Sequence, residues 1–239
     1  MNSTLYPANE RGTANFGWLQ ANYSFSFGQW YNPNKVHFGA LRVLNDDTVH
    51  GGGGFPTHPH SNMEIITIPL QGELQHKDST GGQGVIQQGD VQVMSAGTGV
   101  EHSEFNASAT DSVNLFQLWI YPNKKDITPS YDQKSYANVS KTNNWLYLVS
   151  DQPQHNALTI QQQATIATTL ITTSTTMNYT VQHAGNGVYL MVISGSITIA
   201  NNTLGTKDAI GITEATIINI TNSGTQAAEL LLVEVPMQW

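Results

Sequence analysis

The sequence predicts an all-β protein, and three observations support this prediction. Charged residues make up only 11% of the 239-residue chain, which contains 21 glycines, a balance that suits a globular protein with many turns. Short apolar or alternating segments recur between turn-forming residues, which is typical of strands. Threonine and isoleucine, which favour strands, are abundant over 165–176 and 210–220. We therefore expect strands and turns with few helices.

Composition and charge exclude several functional classes. The net charge is −8 and the chain has only nine lysines and arginines, whereas binding to nucleic acid depends on clustered positive charge. No apolar run approaches the roughly 18 residues that span a membrane. The N-terminus, MNSTLYPANERG, lacks the features of a signal peptide, so a cytoplasmic location is expected. Because there is no cysteine, a bound metal must use nitrogen and oxygen ligands.

The first 50 residues predict two strands and several turns. The alternation over Tyr23–Phe27 predicts a strand. Val36–Val43 predicts a second strand, followed by a turn at Asn45–Asp47. Aromatic residues are frequent between Trp18 and Tyr31. Such rings either line the mouth of a ligand site or belong to the core, and we expect the core.

Residues 51–104 contain the two motifs on which the functional prediction depends. The first, GGGGFPTHPHSNMEI, places His58 and His60 two residues apart, and the second, MSAGTGVEHSE, gives His102 and Glu104 the same spacing. On a strand, residues i and i+2 face the same side, about 7 Å apart. Each pair can therefore direct two ligand atoms toward one point. Two such strands would supply three imidazoles and one carboxylate, which suits a divalent transition metal.

The segments around these motifs predict strands as well. Ile65–Ile68 and 87–93 are strand-like, and the turn-rich 77–82 lies between them. The four glycines at 51–54 precede a strand that contains proline rather than a helix, so a phosphate-binding loop is not predicted. Glu101 should face away from His102 and be solvated.

Four other histidines have no partner at ligand spacing, and we expect ordinary surface or hydrogen-bonded roles for them. They are His37, His50, His76 and His155. Of these, His76 is a candidate to support the metal site from outside the ligand set.

Together these motifs resemble those of the pirin family of cupins, in particular bacterial pirin-like quercetin 2,3-dioxygenases. The resemblance is dense over residues 9 to 131 and thinner beyond. It differs at Ser61-Asn62, where a basic–acidic pair is more usual. The matching stretches are Asn9–Gly12, Ser24–Phe27, Leu41–Val43, His58–His60, Met63–Ile65, His76–Ser79 and Ser95–Gly99.

The resemblance implies a bicupin, with two tandem double-stranded β-helix (jelly-roll) barrels. Residues 1–137 would form a metal-binding barrel and residues 138–239 a cupin-like barrel without metal ligands. Because pirins draw their glutamate ligand from the second motif, the resemblance assigns Glu104 to the metal, together with His58, His60 and His102. Glu104 would also take a proton from the substrate hydroxyl. Glu64 is left with a supporting or structural role.

The activity that the resemblance implies is dioxygenation of a flavonol such as quercetin with O2, which opens the central ring and releases carbon monoxide. Iron(II) is the first expectation for the metal, and nickel, cobalt, manganese, copper and zinc stay open. Pirins are also described as redox-sensing regulators that bind a transcription factor or a metabolic enzyme, which is the alternative function. A third alternative is a structural zinc site closed by all four ligands. Direct binding to nucleic acid or membrane is not expected.

The second half predicts a copy of the first. The apolar strand over 114–121 ends at Pro122, and the polar segment that follows, up to the expected domain junction near residue 137, is predicted to be helical or irregular. Gly187–Ile197 can be aligned with Glu64–Leu74, which pairs Gly195 with Gly72. The alignment pairs Val181 with His58, His183 with His60, Ile220 with His102 and Asn222 with Glu104. Only His183 would remain of the ligand set.

Overall fold

The computed structural model describes all 239 residues apart from the side chain of Pro153, and it confirms the all-β prediction. Two single turns of 3-10 helix occur, at Ala8–Glu10 and Pro153–His155. None of the described helical segments is long and apolar enough to cross a membrane.

The strands of the first half are β1 (Asn2–Tyr6), β2 (Gly12–Asn15), β3 (Leu19–Tyr23), β4 (Leu41–Val49), β5 (Gly54–His60), β6 (Glu64–Gln71), β7 (Glu73–Asp78), β8 (Gln83–Gln87), β9 (Asp90–Ser95), β10 (Val100–Asn106), β11 (Val113–Ile120) and β12 (Ser130–Ser135). Those of the second half are β13 (Leu146–Ser150), β14 (Leu158–Thr159), β15 (Thr165–Ile171), β16 (Thr176–Thr180), β17 (Asn186–Ser194), β18 (Ile197–Ile199), β19 (Asn202–Leu204), β20 (Ala209–Thr213), β21 (Ile217–Asn222) and β22 (Ala228–Pro236).

Each half forms a barrel from a seven-stranded and a four-stranded sheet. In the N-terminal barrel the strand orders are β12-β9-β6-β11-β4-β3-β2 and β5-β10-β7-β8. In the C-terminal barrel they are β1-β20-β17-β22-β15-β13-β14 and β16-β21-β18-β19. Apolar residues of the two sheets meet inside each barrel, as Leu74 of β7 does with Leu115 of β11. The two barrels therefore have the same topology, as expected from the prediction that the second half is a copy of the first.

One strand departs from a simple division of the chain. β1 lies at the N-terminus but pairs with β20, so residues 2–6 extend the sheet of the C-terminal barrel. In the N-terminal barrel the same edge position is taken by β12, which pairs with β9. A domain boundary near residue 137 stays a prediction, and β1 crosses it in space.

The two seven-stranded sheets share one apolar core. Phe116 and Leu118 of β11 belong to the same buried cluster as Tyr189 and Leu231 of the C-terminal barrel. Each large apolar side chain that is fully buried contributes about 1.5–3 kcal/mol. A few of them therefore match the whole free energy of unfolding of a typical domain, about 5–15 kcal/mol.

Deleting residues 138–239 is accordingly expected to leave the N-terminal half insoluble or unstable. The deletion exposes Phe116 and Leu118 and removes the pairing partner of β1. The soluble fraction and the far-ultraviolet spectrum measure the effect, with the full chain as reference. A soluble, cooperatively unfolding fragment of residues 1–137 would contradict the prediction and would show that the first barrel folds alone.

Several local predictions were wrong. The strand predicted over Tyr23–Phe27 is only the end of β3 at Tyr23, and the strand predicted over Val36–Val43 begins at Leu41. Asn45–Asp47, predicted as a turn, lie in the middle of β4 and are buried. Their polar side chains are tolerated because Asp46 binds Lys207 at 2.9 Å and Arg11 at 3.6 Å outside the barrel, while Asp47 lies in its interior. Burial, with Asp46 and Glu104 nearby, raises the pKa of Asp47 to about 8, which favours the neutral acid there.

The segment after Pro122 was predicted as helical or irregular, but Ser130–Ser135 forms β12. Its side chains are mostly polar, and only one neighbouring strand pairs with it. An edge strand of this kind lacks the apolar alternation that identifies strands in a sequence.

The structure also corrects the alignment of the two copies. The match of Gly195 with Gly72 is confirmed, since both glycines end equivalent strands with positive φ. The ligand positions shift by two residues, however, because the connections before and after these strands differ in length. Strand pairing matches His58 with Tyr179, His60 with Val181, His102 with Ile218 and Glu104 with Ile220.

Asn222 shows the correct register directly. Its Nδ2 donates to the carbonyl oxygen of Ile171 at 2.8 Å, just as Asn106 Nδ2 donates to that of Val49 at 2.9 Å. Asn222 therefore corresponds to Asn106 and not to Glu104. His183, predicted as a surviving ligand equivalent, instead has its ring 3.0 Å from Asp151.

Candidate metal centre

Both predicted ligand pairs lie on neighbouring antiparallel strands, β5 and β10. His58 is directly opposite His102, and His60 is opposite Val100. The ring centroids of His58 and His102 are 4.4 Å apart, and each is 4.9 Å from that of His60. Ligand nitrogens of the three rings lie within 4.8 Å of one another. Strand alternation and one pairing thus bring three imidazoles together at the mouth of the barrel.

Glu104 lies deeper in the barrel and belongs to a second group. Its carboxylate is within 4.8 Å of ligand atoms of His102 and His76, all three side chains being buried. The register between β5 and β10 shifts between His102 and Glu104, which places Glu104 opposite Phe55. The two groups share His102, and the set of four ligands stays a prediction.

Burial keeps two of the imidazoles, those of His60 and His102, neutral at neutral pH. Burial, together with the neighbouring His58, lowers the pKa of His60 to about 4. Burial and the nearby His58, His60 and His76 lower the pKa of His102 to about 3. A metal binds the lone pair of a neutral imidazole. The rings are therefore already in the protonation state that a metal ion requires.

Two polar side chains fix the carboxylate of Glu104. Thr67 Oγ1 lies 3.2 Å from Glu104 Oε1 and 3.0 Å from Gln117 Oε1, and Gln117 Nε2 donates to Glu104 Oε2 at 2.8 Å. Burial raises the pKa of Glu104 to about 7, although these hydrogen bonds oppose the rise. A carboxyl group with a pKa near neutrality is suited to accept and return a proton.

Thr67 and Gln117 belong to a polar row across the seven-stranded sheet of the N-terminal barrel. The row pairs three buried residues and the partly buried Gln117 side by side, in the order Gln92, Thr67, Gln117 and Asn45. Its counterpart in the C-terminal barrel is apolar: Ile210, Leu190, Leu232 and Ala167. The barrel that contains the candidate ligand side chains is therefore also the one with the polar row in its interior. Both groups of possible metal ligands found among the described side chains lie in the N-terminal barrel.

A buried histidine–aspartate pair lies beside His102. The ring of His76 is 5.4 Å from that of His102, and its Nε2 is 2.9 Å from Asp78 Oδ2. Burial lowers the pKa of His76, opposed by Asp78. Burial raises the pKa of Asp78, but hydrogen bonds from Thr80, His76 and Gly82 outweigh it and hold the pKa below its usual value. His76 is therefore a hydrogen-bonded residue, as predicted, and it adjoins the site.

Glu64 belongs to neither group of possible ligands. Its Oε2 accepts hydrogen bonds from Ser95 Oγ at 2.8 Å and from the backbone N–H of Gln161 at 3.1 Å. The first bond joins β6 to β9 and the second joins the two halves of the chain. These contacts favour the structural role.

An aromatic cleft of about 370 Å3 has Trp119 in its lining, and Trp119 also contacts His60. Trp119 meets His60 edge to face at 4.9 Å and Phe27 at 5.3 Å. Of the N-terminal aromatic residues predicted as core, Tyr23 and Phe25 are buried. Trp18 packs against Phe55. The cleft is lined by the remaining three together with later residues, and its aromatic members are Phe27, Trp30, Tyr31, Trp119 and Tyr121.

The donor atoms fit a divalent transition metal. They are imidazole nitrogens and a carboxylate oxygen, which such ions bind well. Nδ1 of His102 is buried without a hydrogen-bond partner, a state that costs about 1–3 kcal/mol when nothing compensates for it. The fit to a metal therefore rests on the chemistry of these donor atoms.

Comparisons with known proteins match both halves of the chain to described families. Residues 6–120 match the family described as Pirin, and residues 147–235 match the one described as Quercetinase C-terminal cupin domain. A putative quercetin 2,3-dioxygenase of Zymomonas mobilis is 40% identical over 95% of both chains. The quercetin 2,3-dioxygenase of Escherichia coli K12 is 37% identical over 97% of this chain and 98% of its own.

Solved structures show the same architecture. YhhW of Escherichia coli is 36% identical, covers all of both chains and superposes with a TM-score of 0.92. A second structure, described as bacterial pirin YhhW in complex with nickel(II), covers 98% of this chain and 99% of its own with a TM-score of 0.90. A quercetin 2,3-dioxygenase from Acinetobacter baumannii is 20% identical with a TM-score of 0.77, which shows a common fold.

Proposed function

The chain belongs to the pirin family, and from this premise we propose that it is a metal-dependent dioxygenase that cleaves flavonols such as quercetin with O2. The observation that carries the proposal is the group of three clustered imidazoles, with a carboxyl group of near-neutral pKa close to one of them and an aromatic cleft that contains Trp119, a contact of His60. Relatives that match nearly the whole chain carry the name quercetin 2,3-dioxygenase. The substrates would be a small flavonol and O2, and the net charge of −8 disfavours a nucleic-acid partner.

In this proposal His58, His60, His102 and Glu104 hold one divalent transition metal. Iron(II) is our first choice from the ligand types, and nickel, cobalt, manganese, copper and zinc are the alternatives. The relative described in complex with nickel(II) supports a divalent ion at this fold. A bound metal would supply Lewis-acid stabilisation of negative charge on a substrate oxygen.

The side chains of this protein would supply proton transfer and orientation. Glu104, with its pKa near 7, would accept the proton of the substrate hydroxyl. Thr67 and Gln117 would keep its carboxylate in place through their hydrogen bonds. Trp119 and the aromatic cleft would orient a flat aromatic substrate by stacking and edge contacts.

The test is a metal-reconstitution series assayed with quercetin and O2. The protein loaded with the native metal is expected to consume O2, to bleach the long-wavelength absorption of quercetin and to release carbon monoxide. The same protein stripped with a chelator is the control. Absence of oxygen uptake with iron, nickel, cobalt, manganese and copper would contradict the enzymatic proposal.

That negative result would favour the regulatory alternative, in which the same ligands sense the oxidation state of the metal and a protein partner binds the surface. A closed structural zinc site would give a different result again. It would bind zinc with four protein ligands and leave no position for a substrate oxygen. A coordination number above four supports the open site.

A further inference from the structure

Three hydrogen-bond donors hold one oxygen of the Asp78 carboxylate. Its Oδ1 lies 2.8 Å from the backbone N–H of Thr80, 2.6 Å from Thr80 Oγ1 and 3.0 Å from the backbone N–H of Gly82. A Cβ at position 82 would lie 2.2 Å from Asp78 Oδ2, so this turn needs glycine there. Oδ1 is thus fully used, and Oδ2 faces His76.

The contact with Asp78 determines which nitrogen of His76 carries the proton. Nε2 is 2.9 Å from the carboxylate oxygen, which can only accept, so Nε2 must be the donor. In the neutral ring Nδ1 then presents a lone pair. Nδ1 is buried without a partner, and stacking on Tyr131 at 4.7 Å with an interplanar angle of 22° holds the ring in place.

His102 offers the complementary group. Its Nδ1 is also buried without a partner, while Nε2 is not among the buried unpartnered atoms. The two rings are 5.4 Å apart on the neighbouring strands β7 and β10. A neutral imidazole has one N–H. If Nδ1 of His102 carries it, this N–H and the lone pair of His76 are complementary. The structure itself forms no hydrogen bond between the two atoms, and a small rotation of the rings would join them.

We propose that Asp78 and His76 are positioning residues that fix His102 as the Nδ1–H tautomer, so that its Nε2 lone pair is directed to the metal. In this arrangement the Asp78 carboxylate accepts the His76 Nε2–H, and the lone pair on His76 Nδ1 accepts the His102 Nδ1–H. The lone pair on His102 Nε2 is then free for the metal. The inference rests on the proposed metal centre but not on the proposed reaction. It assigns His76 to the support of a ligand rather than to the ligand set.

The decisive substitution is Asp78→Asn. Three donors still require an oxygen at the Oδ1 position, so the amide nitrogen must take the place of Oδ2. The amide nitrogen would donate a hydrogen bond to His76 Nε2, so the proton of the His76 ring would move to Nδ1. The Nδ1–H groups of His76 and His102 would then face each other. His102 would then shift its proton to Nε2 and lose the lone pair that binds the metal.

The measurement is the dissociation constant for zinc in the full-length protein, obtained by competition with a chelator. Loss of a partner that supports a metal ligand lowers affinity by about 10–100-fold, and we expect that range for Asp78→Asn. Asp132→Asn is the matched control, since it removes an exposed carboxylate from the neighbouring β12 and should leave the constant unchanged. Equal affinities for both variants and the native protein would overturn the proposal.

A second measurement needs no substitution. Long-range 1H–15N correlation on zinc-loaded protein with labelled histidines reports the tautomer of each ring. We expect His76 protonated at Nε2, and His102 protonated at Nδ1 with zinc on Nε2. Protonation of His102 at Nε2, or a zinc-shifted nitrogen on His76, would overturn the proposal whatever the activity with quercetin proves to be.

Discussion

Replacing His58 or His102 with alanine is expected to remove most of the bound metal and to leave the β-sheet spectrum unchanged. The two rings face each other across β5 and β10 with centroids 4.4 Å apart, so each substitution removes one of three clustered imidazoles. Loss of a group that only supports a ligand costs about 10–100-fold in metal affinity. Loss of a ligand should cost more. Metal per chain after dialysis, measured by mass spectrometry, gives the result.

His50→Ala is the control for these variants. His50 is a partly buried histidine of the same barrel, with its Nδ1 3.0 Å from Ser112 Oγ, and it belongs to neither group of possible ligands. It should keep full metal content. Native occupancy in both the His58 and the His102 variants would show that the metal, if any, lies elsewhere.

The clustering of the three imidazoles could be expected from the sequence because part of the relevant geometry is local. The spacing of two residues places His58 with His60, and His102 with Glu104, on one face of each strand. The pairing of β5 with β10 then depends on the fold, which the family resemblance supplied. A bulge between His102 and Glu104 could not be predicted, because it depends on how the neighbouring strand is paired.

Thr67 and Gln117 were missed, although the sequence contains a signal for them. Each is a polar residue inside an otherwise apolar strand, at Ile65–Ile68 and at Leu115–Trp119. Both are buried or partly buried and bind Glu104. A buried polar group needs a partner, so a polar residue within an apolar strand predicts an interior site even where its partner is unknown.

Asn45–Asp47 show the opposite error. Three consecutive polar residues predict a turn from local propensity, yet they occupy the middle of β4. Their partners come from distant parts of the chain, such as Lys207 for Asp46. Tertiary contacts of this kind override local preference. They cannot be predicted from neighbouring residues, because the partners are far apart in the sequence.

The two barrels differ at the positions of the candidate ligands. Where the N-terminal barrel has His102 and Glu104, the C-terminal barrel has Ile218 and Ile220, both buried. The loss of the ligands is matched by the loss of the polar row that surrounds them. An apolar interior contributes to stability, which supports a structural role for the second barrel.

Glu104→Gln is expected to lower turnover by about 10²–10⁴-fold, the usual contribution of a general base, with a much smaller change in KM. The amide has nearly the shape of the carboxylate, and Gln117 can turn its own amide to keep a hydrogen bond, so the fold should persist. The amide introduced at position 104 cannot accept the substrate proton. Since Glu104 is also a proposed ligand, turnover is expressed per bound metal, and occupancy is measured on the same sample.

Glu73→Gln is the matched control for that variant. Glu73 is exposed on β7, the strand that pairs with β10, and its replacement removes the same charge without touching the site. It should retain native turnover and metal content. If the Glu104 variant turned over at the native rate per bound metal, Glu104 would not be the proton acceptor. If the Glu104 variant kept that native rate but bound less metal than the native protein, the role of Glu104 would be that of a ligand alone.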